Sequence, residues 1–377
     1  MKKKYLLTPG PTPVPTEVLL AMSKPTIHHR TPEFKAIFKE VIENLKYVFQ
    51  TQNDVFTFAA SGTGAMEAAV VNLLSSGDTA ICVRGGKFGE RWSEICQAYG
   101  IKTVDIDVEW GKAVEPSVIE KALKENKNVK VVFTTLCETS TGVLTDIKAI
   151  AQMMKNKDAI LVTDAISALC GVDLQTDKWG VDVVVAGSQK GLMIPPGLAF
   201  CSISPKAWKL VEKSKSPRYY FDFRSAKKAL DKSDTAFTPA VTLCIGLNEA
   251  LKMIKKETLE VTFARHSKLA RAVRAAMQAL GLKLFAKSPA DDITSVCLPE
   301  HINGEELVKT MRDTYGVSVA GGQAQLKGKI IRIAQMGYMN EFDILTGISC
   351  LEIVLAKMGY VFEPGVGVGA AEKEFCK

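Results

Sequence analysis

Two kinds of apolar pattern alternate along the chain between about residues 34 and 251. Short apolar runs rich in β-branched residues predict buried strands, near residues 55–60, 79–83, 102–105, 130–134, 159–163, 181–186 and 198–203. Amphipathic or alanine-rich stretches between them, such as 116–125 and 147–156, predict helices. This alternation is typical of an α/β fold in which helices cover both faces of a mostly parallel sheet.

The pattern changes after about residue 243. Residues 243–274 are strongly helical, and the strands and helices predicted beyond them follow an α+β order. Because a chain of 377 residues is long for one domain, we predict a large and a small domain. The predicted parts are a proline-rich N-terminal arm (1–15), a large cofactor-binding domain (16–255), a small C-terminal domain (256–362) and a flexible, glycine-containing tail (363–377).

Two of the predicted strands end close to residues that carry charge. The run 159–163 is followed by Asp164, and Lys190 comes shortly after the run 181–186. Ligands of open α/β sheets bind outside the carboxyl ends of the strands. An amine nucleophile and a carboxylate at this edge are the pair that pyridoxal 5′-phosphate needs. Taken alone, Lys190 fits a solvated loop better than a site, and the alternative for Asp164 is a helix N-cap.

A third motif follows the first strand of the predicted sheet. Ser61, Gly62, Thr63 and Gly64 lie between that strand and a run of strong helix formers. Small residues at a strand-to-helix turn let backbone N–H groups approach an anion at the positive end of the helix. The motif lacks the lysine of a Walker loop and the third glycine of a dinucleotide fingerprint, which argues against a nicotinamide dehydrogenase. A tight turn capped by Ser61 or Thr63 is the alternative.

Composition narrows the class of protein. Hydrophobic residues make up 47% and charged residues 24% of the chain, as in an ordinary globular protein. The net charge of +7 is spread over separate lysine runs, whereas nucleic-acid binding favours one basic stripe with aromatics. The sequence contains no apolar stretch long enough to span a membrane. We therefore expect no nucleic-acid or membrane partner.

Cysteines and histidines give two further expectations. The nine cysteines include no Cys-x-x-Cys pair, and several lie inside apolar segments, so we predict free thiols and a cytoplasmic protein. The four histidines do not follow the spacing of a metal site. We predict no bound metal.

Read together, the motifs resemble those of the fold-type I, class V pyridoxal-phosphate-dependent aminotransferases. The resemblance is to the alanine–glyoxylate, serine–pyruvate and serine–glyoxylate group and covers nearly the whole chain. It is carried by residues 8–15, 61–67, 138–143, 164–165, 187–190, 195–197 and 332. Each motif is modest by itself, but their order and spacing are specific.

The resemblance implies a role for each matching position. Lys190 would bind the cofactor covalently and then move a proton as general base and acid, and Asp164 would pair with the pyridine nitrogen. Arg332, inside an apolar strand, would hold the substrate carboxylate between two parallel donors. The cofactor-binding positions are Ser61, Gly62, Thr63, Phe88, Thr139, Asp164, Gln189, Lys190 and Thr238.

Two of these positions depart from the family pattern. Phe88 stands where some relatives have tryptophan, although its ring keeps a flat apolar face for stacking. Thr238 resembles the segment that a partner subunit brings to the phosphate, but relatives place the hydroxyl one position differently. The resemblance thus implies a homodimer with shared active sites.

The expected activity is a ping-pong transamination from alanine or serine, with aspartate as a further candidate donor, to glyoxylate or pyruvate. A lyase of the same class, such as a cysteine desulfurase, is one alternative. Desulfurases usually carry histidine before the cofactor lysine, whereas this chain has Gln189, and Cys137 is the one cysteine in a plausible site loop. A non-catalytic subunit that accompanies a soluble hydrogenase is the other alternative.

Overall fold

The computed structural model describes residues 3–377, which form a large α/β part followed by a smaller α+β part. In chain order the first elements are β1 (Tyr5–Leu6), α1 (Thr16–Met22), α2 (Pro32–Phe49), β2 (Asp54–Phe58), α3 (Gly62–Leu73), β3 (Thr79–Arg84), α4 (Lys87–Ala98), β4 (Lys102–Asp107), α5 (Pro116–Glu125), β5 (Val129–Thr135), β6 (Cys137–Glu138) and β7 (Val143–Leu144). They are followed by α6 (Ile147–Met154), β8 (Ile160–Asp164), α7 (Thr176–Trp179), β9 (Val183–Gly187), β10 (Ala199–Ile203), α8 (Pro205–Val211), α9 (Phe223–Leu230), α10 (Val241–Glu257) and α11 (Leu259–Ala279). The last elements are β11 (Ile293–Cys297), α12 (Gly304–Tyr315), β12 (Val317–Ser318), β13 (Ala320–Gly321), β14 (Ile330–Ala334), α13 (Glu341–Lys357) and α14 (Val366–Phe375).

The main sheet contains the seven strands predicted for the large domain, in the order β2-β10-β9-β8-β5-β3-β4. Strand β10 is antiparallel to β2 and β9, and the other neighbouring pairs are parallel. The carboxyl ends of β5, β8 and β9 therefore lie side by side. Their register aligns Asp164 with Thr135 on one side and with Val185 on the other.

Apolar side chains pack on both faces of this sheet. Alternate residues of one strand enter different cores: Val184 joins the core under α2, α6 and α10, and Val185 joins the core under α3 and α4. Strands buried on both faces read as continuous apolar runs, which is why the sequence identifies them well. The α/β prediction is correct.

A separate core lies in the C-terminal part, around an antiparallel sheet of order β11-β14-β13. Helices α11, α12 and α13 supply half of its buried apolar side chains. The helical stretch predicted over 243–274 is divided into two helices at Thr258, whose φ of 72° interrupts the helix. This interruption lies close to the predicted domain boundary.

The prediction of a flexible tail from residue 363 is wrong for most of its length. Residues Val366–Phe375 form α14, which packs on α11 and buries Ala371. The buried carboxylate of Glu352, on α13, accepts hydrogen bonds from the N–H groups of Gly365, Gly367 and Val368 at 2.8, 2.7 and 3.1 Å. A carboxylate at a helix N-terminus satisfies donors that otherwise lack partners.

Candidate active site

Lys190 lies in the loop after β9 and its amine is held in a confined space. The Nζ group donates a hydrogen bond to the carbonyl of Pro9, and a side chain at Gly10 would collide with that of Lys190. Burial lowers the pKa of Lys190 to about 8, although the carboxylates of Asp292 and Asp164 act to raise it. An amine with this pKa is partly unprotonated near neutral pH, as a nucleophile or proton carrier requires.

The N-terminal arm fixes the other side of this loop. Strand β1 pairs in parallel with β12 of the C-terminal part in a separate two-stranded sheet, and the arm then runs past the end of β9. The Thr12 N–H donates to the carbonyl of Gln189 at 3.1 Å, and its hydroxyl donates to the carbonyl of Lys190 at 2.8 Å. The lysine loop is thus held between the main sheet and the arm.

Asp164 is the last residue of β8 and only 3% of its surface is exposed. Its Oδ1 accepts a hydrogen bond of 2.7 Å from the N–H of Ile166. Burial raises the pKa of Asp164 to about 7, and the nearby cations Arg91 and Lys190 oppose this rise. The site therefore holds a carboxyl group that needs a cation to remain ionised.

Helix α3 points its N-terminus toward the same edge. Ser61 precedes the helix, and within residues 3–377 its side chain makes no capping hydrogen bond, so the first N–H groups keep their donor capacity. A Cβ at Gly62 would come 2.6 Å from the Ile166 side chain, so the close packing of this turn on the loop after β8 requires glycine. The Thr63 hydroxyl accepts a hydrogen bond of 3.1 Å from Arg91.

Phe88 lies in the first turn of α4, beside a buried carboxylate. Glu138 accepts hydrogen bonds from the N–H groups of Phe88 and Gly89 at 3.3 and 2.8 Å. The guanidinium of Arg91 lies 4.9 Å from the centroid of the Phe88 ring. Burial raises the pKa of Glu138, and its bonds from Ser140 and the two backbone N–H groups oppose the rise. Glu138 therefore fixes the position of the aromatic ring.

Arg332 is almost fully buried in β14 and reaches across to the large part of the molecule. Its Nε donates to the carbonyl of Gly321, and its Nη1 donates to the carbonyl of Thr139, both at 2.9 Å. Burial lowers the pKa of Arg332 to about 10, so the guanidinium stays protonated at neutral pH. The Thr139 hydroxyl donates to Ser167, which follows β8 in sequence, at 2.8 Å.

The structure brings together every predicted site residue except Thr238. Residues 61–63, 88, 139, 164, 189, 190 and 332 surround the carboxyl ends of β8 and β9. Thr238 is exposed in the segment between α9 and α10, where it lines a cavity with Phe58, Tyr220 and Phe237. Within residues 3–377 of a single chain, Thr238 therefore lies apart from the predicted site residues that surround Lys190.

Arg91 and Asp292 lie at the site but outside the predicted motifs, and Glu138 begins the motif 138–143 without a role predicted for it. Arg91 bonds to Thr63, Glu138 holds the Phe88 backbone, and Asp292 acts on Lys190. The local pattern does not single out Asp292, because Asp182 also stands directly before a buried strand. Nothing in the local pattern distinguishes Arg91 from a surface residue.

Comparison with known proteins defines the class. The family model of the class-V aminotransferases matches residues 4–344. A protein named soluble hydrogenase, small subunit, from Synechococcus sp. is 45% identical, over 98% of each chain. The L-aspartate–glyoxylate aminotransferase of Paracoccus denitrificans is 38% identical, over 98% of this chain and 96% of that one. The crystal structure of ureidoglycine–glyoxylate aminotransferase from Bacillus subtilis covers 100% of this chain and 99% of its own, with 29% identity and a TM-score of 0.95.

The fold and the site thus define a fold-type I enzyme that uses pyridoxal phosphate. The chain belongs to the class-V aminotransferase family, and the resemblance stated from the sequence is confirmed. Within residues 3–377, no helix combines the length and apolar character needed to cross a membrane.

The residues present fit this cofactor. The amine of Lys190 and the carboxyl of Asp164 interact electrostatically at one sheet edge, and the uncapped start of α3 offers N–H donors to a phosphate. Among the described residues, the buried Oε1 of Gln189 has no hydrogen-bond partner. This oxygen lies near the start of α3. A Cβ placed on Gly187 would be 3.3 Å from the Gln189 oxygen and 3.5 Å from the Cα of Gly62, so Gly187 lies close to both. Gln189 therefore offers an unused polar group beside the helix start.

Proposed function

We propose that Lys190 holds the cofactor and carries the proton of the transamination. When bound, pyridoxal phosphate supplies an electron-withdrawing ring that accepts and passes on the amino group. The pKa of about 8 lets the Lys190 amine take a proton from the substrate carbon and return it near neutral pH. Asp164 pairs with the ring nitrogen, and this pairing keeps the carboxylate ionised despite its burial.

The remaining positions bind and orient. Ser61, Gly62 and Thr63 hold the phosphate at the start of α3, and Gln189 adds a contact from the lysine loop. Phe88 stacks on the ring. This assignment is supported by the uncapped helix N-terminus and by the unbonded Gln189 oxygen, both within the described residues.

Two further residues complete the substrate side of the site. Arg332 binds the carboxylate of the amino and keto acids, because a guanidinium held on two backbone carbonyls still presents further donors to a planar anion. Thr139 contacts the ring oxygen of the cofactor. Both residues reach the site from opposite parts of the molecule and are joined by one hydrogen bond.

For the substrates, we propose a small amino donor, alanine or serine, with aspartate as a further candidate, and glyoxylate or pyruvate as the acceptor. The observation that carries this proposal is the buried Arg332 guanidinium in the same charged cluster as the Lys190 amine. It is supported by the relative named L-aspartate–glyoxylate aminotransferase and by the neighbour named ureidoglycine–glyoxylate aminotransferase. The two half-reactions share one site and give ping-pong kinetics.

We propose a homodimer in which Thr238 reaches the phosphate site of the partner. Thr238 and Tyr219, which is 81% exposed, lie on one surface segment, as an interface would require. The cytoplasm is the proposed compartment, supported by nine cysteines without a disulfide in the described residues.

A second candidate function is a non-catalytic subunit associated with a hydrogenase. The observation that favours it is that the 45% identical relative from Synechococcus sp. is named as the small subunit of a soluble hydrogenase. The presence of both Lys190 and Asp164 argues against it, since a non-catalytic subunit has no need for a buried amine and carboxyl. The lyase alternative is weaker, because burial raises the pKa of the Cys137 thiol well above its ordinary range.

The test is an absorption spectrum of the purified protein with L-alanine, L-serine and L-aspartate added separately. We expect one donor to remove the yellow band of the bound cofactor, and glyoxylate or pyruvate to restore it. A Lys190→Ala variant should have no covalent chromophore and no turnover. A wild-type protein that stays colourless with added pyridoxal phosphate would overturn the catalytic proposal in favour of the hydrogenase-associated one.

A further inference from the structure

The turn that follows β14 packs on the loop that carries Lys190. Gly337, in this turn, has a φ of +77°, and a Cβ placed on it would lie 3.3 Å from both the Lys190 carbonyl oxygen and the Thr12 hydroxyl oxygen. The Thr12 hydroxyl donates to that same carbonyl at 2.8 Å. The backbone of Gly337 therefore lies against the lysine loop and the arm, in a conformation that favours glycine.

Two consecutive residues of α11 bond to this turn. Arg265 donates from Nη1 to the carbonyls of Gly337 and Met339 at 2.9 and 3.1 Å. The guanidinium is itself fixed by an ion pair of 2.6 Å with Glu257. The imidazole Nε2 of His266 accepts a hydrogen bond of 3.0 Å from the N–H of Gly337. Both backbone polar groups of Gly337 are thus bonded to α11.

His266 is an uncharged acceptor in the interior. Its exposed fraction is 0%, and burial and the neighbouring Arg265 cation lower its pKa to about 4. Because Nε2 accepts the hydrogen bond from Gly337, the proton of the neutral ring is on Nδ1. An apolar side chain of similar size would fill the same space and leave the buried N–H of Gly337 without this partner.

The lysine loop contains a conformation that depends on its surroundings. Met193, shortly after Lys190, is buried and has a φ of +56°, which residues other than glycine rarely adopt. Its N–H donates to the Lys190 carbonyl at 3.0 Å. A strained residue of this kind persists only where neighbouring contacts fix it. The turn at Gly337 makes its contact at this same carbonyl.

We propose that His266 is a positioning residue: its bond to the N–H of Gly337 fixes the turn on the Lys190 carbonyl and so keeps the lysine amine in place for proton transfer. The proposal rests on the proposed role of Lys190. No bond is made or broken at His266, which stays neutral and acts only through Gly337 and the lysine loop.

Two replacements of similar length separate the hydrogen bond from the packing. In His266→Gln the amide Oε1 stands as many bonds from Cβ as Nε2 does in histidine, so an acceptor is retained. In His266→Met the side chain is equally long, but its thioether is a weak acceptor. The two variants therefore differ chiefly in the bond to Gly337.

Amide hydrogen exchange of the full chain, followed by mass spectrometry, measures this bond and its effect on the loop. We expect His266→Met to exchange about 10-fold faster at Gly337, the order expected for the loss of one hydrogen bond. Exchange should also become faster at the amides of Met193 and Thr12, which bond to the lysine loop. His266→Gln should stay close to the wild type at all three positions.

In the enzyme loaded with pyridoxal phosphate, the same two variants should separate kcat from KM. We expect the kcat of His266→Met to fall roughly 10-fold, because a displaced amine transfers the proton less efficiently. The isotope effect of deuterium at the substrate Cα should rise, because proton transfer then limits the rate more. The KM for both acid substrates should be unchanged, since Arg332 is held by the carbonyls of Gly321 and Thr139. A merely structural role would lower the amount of folded enzyme without changing the isotope effect.

Val273→Ala is the matched control, since it truncates a fully buried side chain of the same helix in the C-terminal core. It should keep the wild-type exchange at Gly337 and the wild-type isotope effect. The changes expected for His266→Met, if seen in Val273→Ala, would overturn the proposal as a general effect of lower stability. Wild-type exchange at Met193 and Thr12 in His266→Met would also overturn it, as would equal behaviour of the Gln and Met variants. Exchange does not depend on turnover, so it decides the role of His266 even if no donor reacts and the proposed substrates fail.

Discussion

Burial shifts the pKa values of the two central residues toward each other. The pKa of Asp164 is raised to about 7 and that of Lys190 is lowered to about 8, in both cases chiefly because the charged form loses water. The carboxylate is therefore stabilised by a cationic ligand, and the amine is ready to react. Burial of these two groups destabilises the folded protein, which is common at functional sites.

Because Asp164 is buried, the free energy of unfolding of the cofactor-free protein should depend on pH. Because the folded-state pKa of Asp164 is raised from 3.8, folding is favoured by its bound proton below about pH 4, and this contribution is lost as the pH rises through about 7. Asp164→Asn should therefore gain free energy of unfolding relative to wild type between pH 5 and pH 8, by about 3 kcal/mol. Denaturant unfolding of both proteins at pH 5 and pH 8 measures this difference in stability. If the difference between variant and wild type were the same at both pH values, burial of the Asp164 charge would not be its cause. Asp158→Asn, at an exposed position, is the control variant.

Replacement of Arg332 by lysine tests whether substrate binding needs the planar guanidinium or only its positive charge. The two carbonyls that hold its guanidinium cannot orient an ammonium in the same way, so Arg332→Lys keeps the charge and loses the parallel donors. We expect the KM for both acid substrates to rise about 10- to 100-fold, as for the loss of a charged hydrogen bond. Cofactor binding, followed by the visible band, should be unchanged. The same exchange at Arg312, an exposed residue paired with Asp313, should leave both unchanged, and an unaltered KM in Arg332→Lys would remove it as the carboxylate site.

At the scale of elements, the site is made where strand ends meet helix starts. Strands β8 and β9 deliver Asp164 and the lysine loop to one edge, and α3 directs its N-terminal donors to the same place. Helix α4 places Phe88, but only because the buried Glu138 holds its first turn. Each element therefore contributes one chemical group whose position is set by a neighbouring element.

The finding that the C-terminal tail forms helix α14 can be tested by a substitution within it. Gly369 lies inside this helix, and a Cβ there would meet no atom within 4 Å. Gly369→Ala should therefore raise the free energy of unfolding by about 0.5–1 kcal/mol, the difference in helix propensity. Chemical unfolding with a fluorescence signal is the measurement. A disordered tail would give no change, and Gly180→Ala, at φ +82° outside a helix, should destabilise instead.

At the scale of the molecule, the N-terminal arm links the two parts. Leu7 is buried in the C-terminal core, and a Cβ at Gly347 would come 2.5 Å from its side chain. A few residues later the arm bonds to Gln189 and Lys190. The arm therefore connects the C-terminal core to the lysine loop.

Truncation of the buried Leu7 side chain should weaken the hydrogen bonds between the arm and the lysine loop. Leu7→Ala removes fully buried methyl groups and should cost about 2–5 kcal/mol of stability, most of it local to the arm. We expect faster hydrogen exchange at the Thr12 amide, which bonds to Gln189, together with a lower kcat. Val361→Ala, at a side chain that is 92% exposed, should alter neither. Unchanged exchange at Thr12 in Leu7→Ala would show that the arm is held by its other contacts.

The sequence by itself determined the α/β class, the seven strands of the main sheet and the residues at their ends, because strands buried on both faces must be apolar and their polar termini stand out. Local patterns also located the start of α3. Only the tertiary structure decided which distant groups meet: Glu352 with the start of α14, and Glu138 with the Phe88 turn. The three glycines of the tail predicted disorder because composition does not reveal a carboxylate from another helix. Such contacts depend on chain segments far apart in sequence, so no local pattern encodes them.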